Sequence, residues 1–238
     1  IPLIHTLSHN SSKTLYGAKY IGLYKMCKNI LVVISSKNPT QILIDNINNL
    51  YSIQMTDGNK YKIICVDSDS TNFETYELIN QRFQSVIEII YAKNKNYEYG
   101  AYKHAYNKYP NYDIYICIQD TFIITKQIDM CDVNDSYCFS CYHKSGYLSD
   151  PNTKHIGITQ LYNTGLEYKQ IIDTPFNLAQ HCSFVVSKSV MNDIFNTLIN
   201  PPTDKLGSCS YERVFGLYFI LKQIKTIDLN GYHTKIHG

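Results

Sequence analysis

The chain contains no tryptophan and only two arginines, Arg82 and Arg213, among its 238 residues. The remaining basic residues are lysines, set in a background rich in Asn, Ile, Lys and Tyr. That bias reads as an AT-rich coding sequence, so lysine counts carry little weight and an arginine is a mild pointer. No apolar run approaches the roughly 18 residues that a bilayer-spanning helix needs, and the start has no signal-peptide pattern. No basic stripe interrupts a formal net charge of +2, which argues against general nucleic-acid binding. Three phosphate or nucleophile signatures are also missing. The first apolar run ends in SSKNPT rather than a Gly-rich pyrophosphate turn, and there is neither a P-loop nor a G-x-S-x-G elbow.

What is present is ordinary for a globular protein: 44% hydrophobic and 18% charged residues, enough for a sizeable core. The chain opens at Ile1 rather than Met, as a piece of a longer protein would. Eight cysteines are spread along it. Cys65, Cys117 and Cys182 sit in apolar runs, where a free thiol behaves as a small core residue. Cys138 and Cys141, followed by His143, have the spacing of half a zinc site, but no second half matches and YCFSCYH alternates like a strand. Reduced cysteines and a cytoplasmic location are the expectation.

The periodicity is legible over the first half. Asn29–Ser36 is a β-branched run closed by serines, and 40–51 carries apolar residues at a helical period. Tyr61–Asp67 is a second strand ending in a polar cluster, followed by a helix to about Gln84 that Thr71 or Asn72 caps. Val86–Tyr91 is a third strand, 98–109 a helix stopped by Pro110, and Tyr112–Gln119 a fourth strand. Alternating strands and helices at this spacing predict right-handed crossovers and an α/β fold: a doubly wound, mostly parallel central sheet with helices on both faces. Such sheets bind ligands beyond the carboxyl ends of their strands, here a polar rim of Ser35, Ser36, Asp67–Ser70, Lys93–Asn96 and Gln119–Thr121.

Beyond Asp120 the pattern loosens. Strands are expected over Ser136–Tyr142, Cys182–Ser187 and Ile224–Leu229, and helices over Val190–Leu198 and Tyr211–Lys222. A loop-rich stretch lies between the first two strands, and the tail GYHTKIHG is ordered only if it packs on something. The division expected is a leader over 1–28, with a possible short helix over Leu15–Met26, and one domain over 29–238. Within it, 29–121 forms a nucleotide-binding half and 122–238 an acceptor half.

An ordered set of features over about 29–230 resembles the nucleotide-sugar glycosyltransferases of the GT-A fold, nearest to family 2-like enzymes. Ile30–Ser36 resembles the opening strand, and Val66–Ser70 resembles the V-D-D-G-S segment whose acidic residue reads the base. NKNYEYGAYKHAYN, residues 94–107, resembles the N-x-G helix entry. Ile118–Thr121 occupies the place of the D-x-D motif, and Cys209–Gly216 resembles the segment that supplies the catalytic base.

The resemblance implies roles residue by residue. Ser35, Asp67, Asn94, Gly100, Gln119 and Asp120 would meet the nucleotide, with Gly100 where backbone approaches ligand or packs tightly. Asp67 is placed to accept from a base N–H, although a helix-capping role is the bland alternative; as a rim carboxylate its loss is expected to leave the fold intact. Ser35 and Ser36 either donate to the nucleotide or close a turn, and Tyr97, Tyr99 and Tyr102 suit an amphipathic surface. A Mn²⁺ or Mg²⁺ ion would sit on Asp120, aided by His237, His233 or Gln119. The family's paired carboxylates are reduced here to one, in Gln119-Asp120-Thr121. Glu212 would be the base of a single, inverting displacement, in the first turn of a helix capped by Ser208 or Ser210; Asp204 is the next carboxylate.

The implied substrates are a nucleoside diphosphate sugar, a UDP-hexose by preference, and a hydroxyl on a glycan, protein or small molecule. The rival is a catalytically silent module of the same fold that binds a sugar or a partner. A nucleotidyltransferase is a third option, disfavoured because SSKNPT lacks a Gly-rich basic loop.

Overall fold

A computed structural model describes residues 27–143 and 151–236 of the chain. The expected helix over Leu15–Met26 and His237 lie outside these residues. The strands are β1 (Asn29–Ser36), β2 (Lys60–Asp67), β3 (Ile87–Tyr91), β4 (Ile114–Gln119), β5 (Phe122–Ile124), β6 (Tyr137–His143), β7 (Leu178–Ser187), β8 (Lys225–Asp228) and β9 (His233–Lys235). The helices are α1 (Gln41–Ser52), α2 (Glu74–Phe83), α3 (Tyr97–Lys108), α4 (Pro151–Leu161), α5 (Lys188–Thr197) and α6 (Lys205–Leu221). No described helix is long and apolar enough to cross a membrane.

Seven of the described strands form one sheet in the order β3-β2-β1-β4-β7-β6-β8, with β5 and β9 pairing separately. β7 runs antiparallel to both its neighbours; every other pairing in the large sheet is parallel. The expected mostly parallel α/β sheet is what forms. Along β1, alternation sends Ile30, Val32 and Ile34 to one face and Leu31 and Val33 to the other. The first face packs against Leu43, Ile47 and Tyr76 of α1 and α2. The second packs against Tyr102, Met191 and Phe215 of α3, α5 and α6. Both faces of β1 are therefore dry, which is why its sequence is an unbroken apolar run.

Two expectations change with the structure. The loop-rich stretch contains α4, whose apolar residues are too sparse to show a stripe: Thr153, Gly157, Gln160 and Leu161 are its buried positions. α6 begins at Lys205, six residues before the expected start, because Asp204 rather than Ser208 or Ser210 is its cap and accepts from Gly207 N at 2.7 Å. Cys138 and Cys141 lie in β6, the strand expected from the alternation of YCFSCYH. They lie in the hydrophobic clusters on opposite faces of the sheet, and all eight cysteines are free.

Chain order reverses at β1: β2 and β3 step off one side of it, whereas β4 returns to the other. The carboxyl ends of β1 and β4 thus diverge into a crevice at the switch point of the sheet. Backbone bonds lace its floor, from Asp120 N to Ser35 O at 3.0 Å and from Ser68 N to Ser36 O at 2.8 Å.

Candidate active site

The crevice is a cavity of about 270 Å³ lined by Ser35, Ser36, Lys37, Ser68, Tyr97, Glu98, Gln119, Asp120 and Lys205. It adjoins a second cavity of about 280 Å³ that shares Lys37, Ser68 and Tyr97 and adds Asp69, Asn94, Lys95 and Thr203. The cleft is therefore built from the ends of β1, β2 and β4 and the beginnings of α3 and α6. Ser35, Asn94, Gln119 and Asp120 of the expected nucleotide set line it; Asp67 and Gly100 do not.

Asp67 stands behind the wall rather than free on the rim. It is 3% exposed, and its carboxylate accepts from Ser70 N at 3.2 Å and from the Tyr76 hydroxyl at 3.1 Å. It holds the turn that presents Ser68 and Asp69, the latter at φ 65°. Asp67→Ala is accordingly expected to cost about 2 kcal/mol, because buried donors lose their acceptor. A urea titration checks this; an unchanged midpoint would return Asp67 to the exposed rim.

Asn94 and Gly100 form one device. Asn94 accepts from Asn96 N at 2.9 Å and donates to Tyr97 O at 2.6 Å and Ser68 Oγ at 3.0 Å, which fixes the entry to α3 against the end of β2. A Cβ on residue 100 would fall 2.0 Å from Asn94 Oδ1, so Gly100 gives Asn94 its room. Tyr99 and Tyr102 are core residues at 2% and 0% exposure, not an amphipathic surface. Tyr97 does face the cleft, at φ 53°.

The place of the D-x-D motif is rearranged. Asp120 accepts from Ser36 Oγ at 2.9 Å, and the backbone N–H groups of Lys37 and Thr121 also donate to it. Burial pushes its carboxyl above the ordinary aspartate range, opposed by Ser36 and by the charge of Lys235. Gln119 Nε2 donates to Glu98 at 2.6 Å, and Ser208 Oγ donates to the other oxygen of Glu98 at 2.9 Å. On its other side Gln119 accepts from the ammonium of Lys235, which also donates to Thr121 Oγ1. An amide at 119 can bridge a carboxylate and an ammonium at once, because one end donates and the other accepts.

Lys235 arrives on β9, which pairs with β5 just after the D-x-D place. The described part of the tail, to residue 236, packs there: His233 stacks on Phe122 with ring centroids 3.6 Å apart. His233, one of the histidines expected near a metal, is engaged elsewhere. The His233 ring is engaged by Phe122 and by Leu229 O at 3.1 Å, and His237 is outside the described residues.

These residues do not fit a divalent cation. Mg²⁺ and Mn²⁺ seek several anionic or neutral oxygens, whereas here the two carboxylates of the crevice are already engaged, Asp120 by Ser36 and Glu98 by Gln119 and Ser208. An ammonium occupies the adjoining place, and a dication about 4 Å from an ammonium is repelled by roughly 8 kcal/mol at an effective dielectric near 20. Among the described residues no three His, Cys, Asp or Glu side chains gather as a metal site.

Glu212 lies past the second turn of α6, so the helix-dipole explanation for an acid in the first turn does not apply to it. Lys205, Ser208 and Glu212 are spaced to share one face of α6, and Lys205 and Glu98 are both near enough to act on the Glu212 charge. Its Oε1 accepts from His181 N at 2.8 Å, and Arg213 Nη1 is 4.0 Å from Oε2. Burial raises its carboxyl above the usual glutamate value, with Glu98 acting the same way and His181, Arg213 and Lys205 opposing.

The His181 N–H is aimed by a break in β7. Between Ala179 and Phe184 the register with β6 jumps, and His181 and Cys182 both take left-handed backbone, at φ 58° and 49°. Two successive non-glycine residues in that region store strain on the order of 1–3 kcal/mol each. The strain is held where the carboxylate is positioned.

Sequence reasoning missed Lys37, Glu98, Lys205 and Lys235. Lys37 and Lys205 lie just outside recognised segments and Glu98 inside one, but nothing near Lys235 in the sequence announces a partner 116 residues away at Gln119.

No protein-family model and no curated protein matches the sequence. Among solved structures, one of the matches is the mannosyltransferase PcManGT from Pyrobaculum calidifontis, in complex with GDP-Man and Mn²⁺. The two share 12% identity at a TM-score of 0.48, over 86% of this chain and 55% of that one. The chain thus spans just over half the length of that enzyme.

Proposed function

We propose that the chain is a glycosyltransferase that moves a hexosyl group from a nucleoside diphosphate sugar, UDP-linked by first preference, to an acceptor hydroxyl with inversion. The observation that carries this is the pairing of a polar, lysine-bearing crevice at the sheet's switch point with a half-buried carboxylate on the helix that borders it. The ordered segments that resemble family 2-like enzymes fall on the elements that build this crevice: the ends of β1, β2 and β4, the start of α3, and α6.

In this reaction the acceptor hydroxyl gives its proton to Glu212 as its oxygen attacks the anomeric carbon. The bond from that carbon to the diphosphate oxygen breaks, and the nucleoside diphosphate leaves. A carboxylate whose proton affinity is raised by burial is a better base than an exposed one. The second cavity, with Asp69, Asn94, Lys95 and Tyr97, is the proposed place of the nucleoside. Asp67 contributes by holding the turn beside it. Eight unpaired thiols suit a reducing compartment.

A panel of nucleotide sugars incubated without acceptor, with and without Mn²⁺, tests the proposal through release of free nucleoside diphosphate. Slow hydrolysis of one donor is expected, since water can replace the acceptor. Binding of a sugar without hydrolysis or transfer, across the panel, would favour the catalytically silent module instead.

A further inference from the structure

The proposed transfer leaves three negative charges on the departing nucleoside diphosphate, two already carried by the donor and one that develops on the leaving oxygen. Lys37 and Lys205 line the crevice, and Lys235 donates to Gln119 of its lining. Lys37 follows β1, Lys205 opens α6 and Lys235 comes from β9. None of the three makes an ion pair within 4 Å with a carboxylate among the described residues. The two carboxylates that face the same cleft, Glu98 and Asp120, are held by donors of other kinds: Gln119, Ser208, Ser36 and backbone N–H groups. The lysines keep donor capacity as a result. An ammonium has three N–H donors, and Lys235 uses two, on Gln119 and Thr121.

The position of Lys235 is specific. Its two partners flank Asp120 in the chain, so the ammonium stands at the D-x-D place itself, where the family would hold a metal. It is half-buried and carried on a strand, so little side-chain freedom remains to be lost when an anion arrives. Lys205 is exposed at the mouth, with its Nζ 5.9 Å from the Tyr97 ring centroid, and is free to swing onto a bound phosphate.

We propose that Lys235, with Lys205 and Lys37, takes the place of the divalent cation and binds the diphosphate of the donor without metal. This rests on the nucleotide-sugar reading of the cleft. In the transfer step the negative charge that develops on the leaving oxygen is met by the N–H donors of these lysines, while the acceptor's proton goes to Glu212; no metal and no further reactant enters the balance.

Calorimetric titration of the full chain with UDP, GDP and inorganic pyrophosphate, in EDTA and in Mn²⁺, tests it. Wild type is expected to bind one or more of these equally in both media. Lys235→Met is expected to weaken that binding tenfold or more, while Lys235→Arg retains most of it. Lys205→Met, at an exposed position that leaves folding untouched, is expected to weaken it severalfold. Binding that appears only with Mn²⁺, or variants that bind as wild type, would overturn the lysine proposal and leave the nucleotide reading standing. No binding of either nucleotide in either medium would overturn both.

Discussion

Glu212→Gln is expected to lower turnover on the order of a hundredfold or more while donor affinity stays near the parent value. Glutamine keeps the length of the side chain, and its carbonyl oxygen still accepts from His181 N, now 2.8 Å from the carboxylate. What it lacks is the ability to take a proton. A base acts on the acceptor hydroxyl in the transition state, so the ground-state affinity for donor has little reason to change. The pH profile gives a second readout. The base works deprotonated, so kcat/KM of the parent falls as pH drops through the Glu212 pKa, which burial places above the usual glutamate value. That acidic limb is expected to vanish in the glutamine variant. Near-parental turnover with an intact thermal melt would remove Glu212 from the reaction. Glu98, which faces the cleft, is then the next carboxylate, and not Asp204, which caps α6.

Gly216→Ala is expected to destabilise the fold by about 3 kcal/mol, a fall in Tm of roughly 6–12 °C for a chain of this size. A Cβ at this position would lie 2.4 Å from Asn177 O and 2.8 Å from Leu178 Cα. Both obstacles are backbone, at the entry to β7, and neither can rotate away as a side chain would. α6 must therefore separate from β7. Gly216 follows Glu212 by one helical turn, so the same displacement pulls the carboxylate from His181 N. A variant that melts as the parent and keeps its activity would show that the helix and strand are not in contact there. In the sequence this glycine closes the segment CSYERVFG, and its place within a good helical pattern gives no hint of the strand it admits.

The contrast between the two halves of the chain has a physical source. β1, β2 and β4 are short and covered on both faces, so each writes its own apolar run. Local pattern and tertiary placement agree there, and the crevice at Ser35, Gln119 and Asp120 was legible. α4 buries Thr153, Gly157 and Gln160 beside Leu161, a set without hydrophobic period. β5 and β9 are three residues each and exist because they pair across more than a hundred positions. The departure of Gln119-Asp120-Thr121 from paired carboxylates was visible in the sequence as a loss. Its compensation by Lys235 was not, since a lysine in a polar tail looks like any other until the tail is folded back onto β5.

The most direct measurement follows one donor identified in the panel by ³¹P and ¹H NMR as the wild-type protein acts on it with an acceptor. The account predicts that an intact nucleoside diphosphate accumulates, its two phosphorus signals retained, while the anomeric signal of the transferred sugar changes to the opposite configuration. Appearance of a nucleoside monophosphate with a sugar phosphate would place the cleavage between the phosphates. That result, or retention of anomeric configuration, would contradict direct displacement at the anomeric carbon with Glu212 as its base.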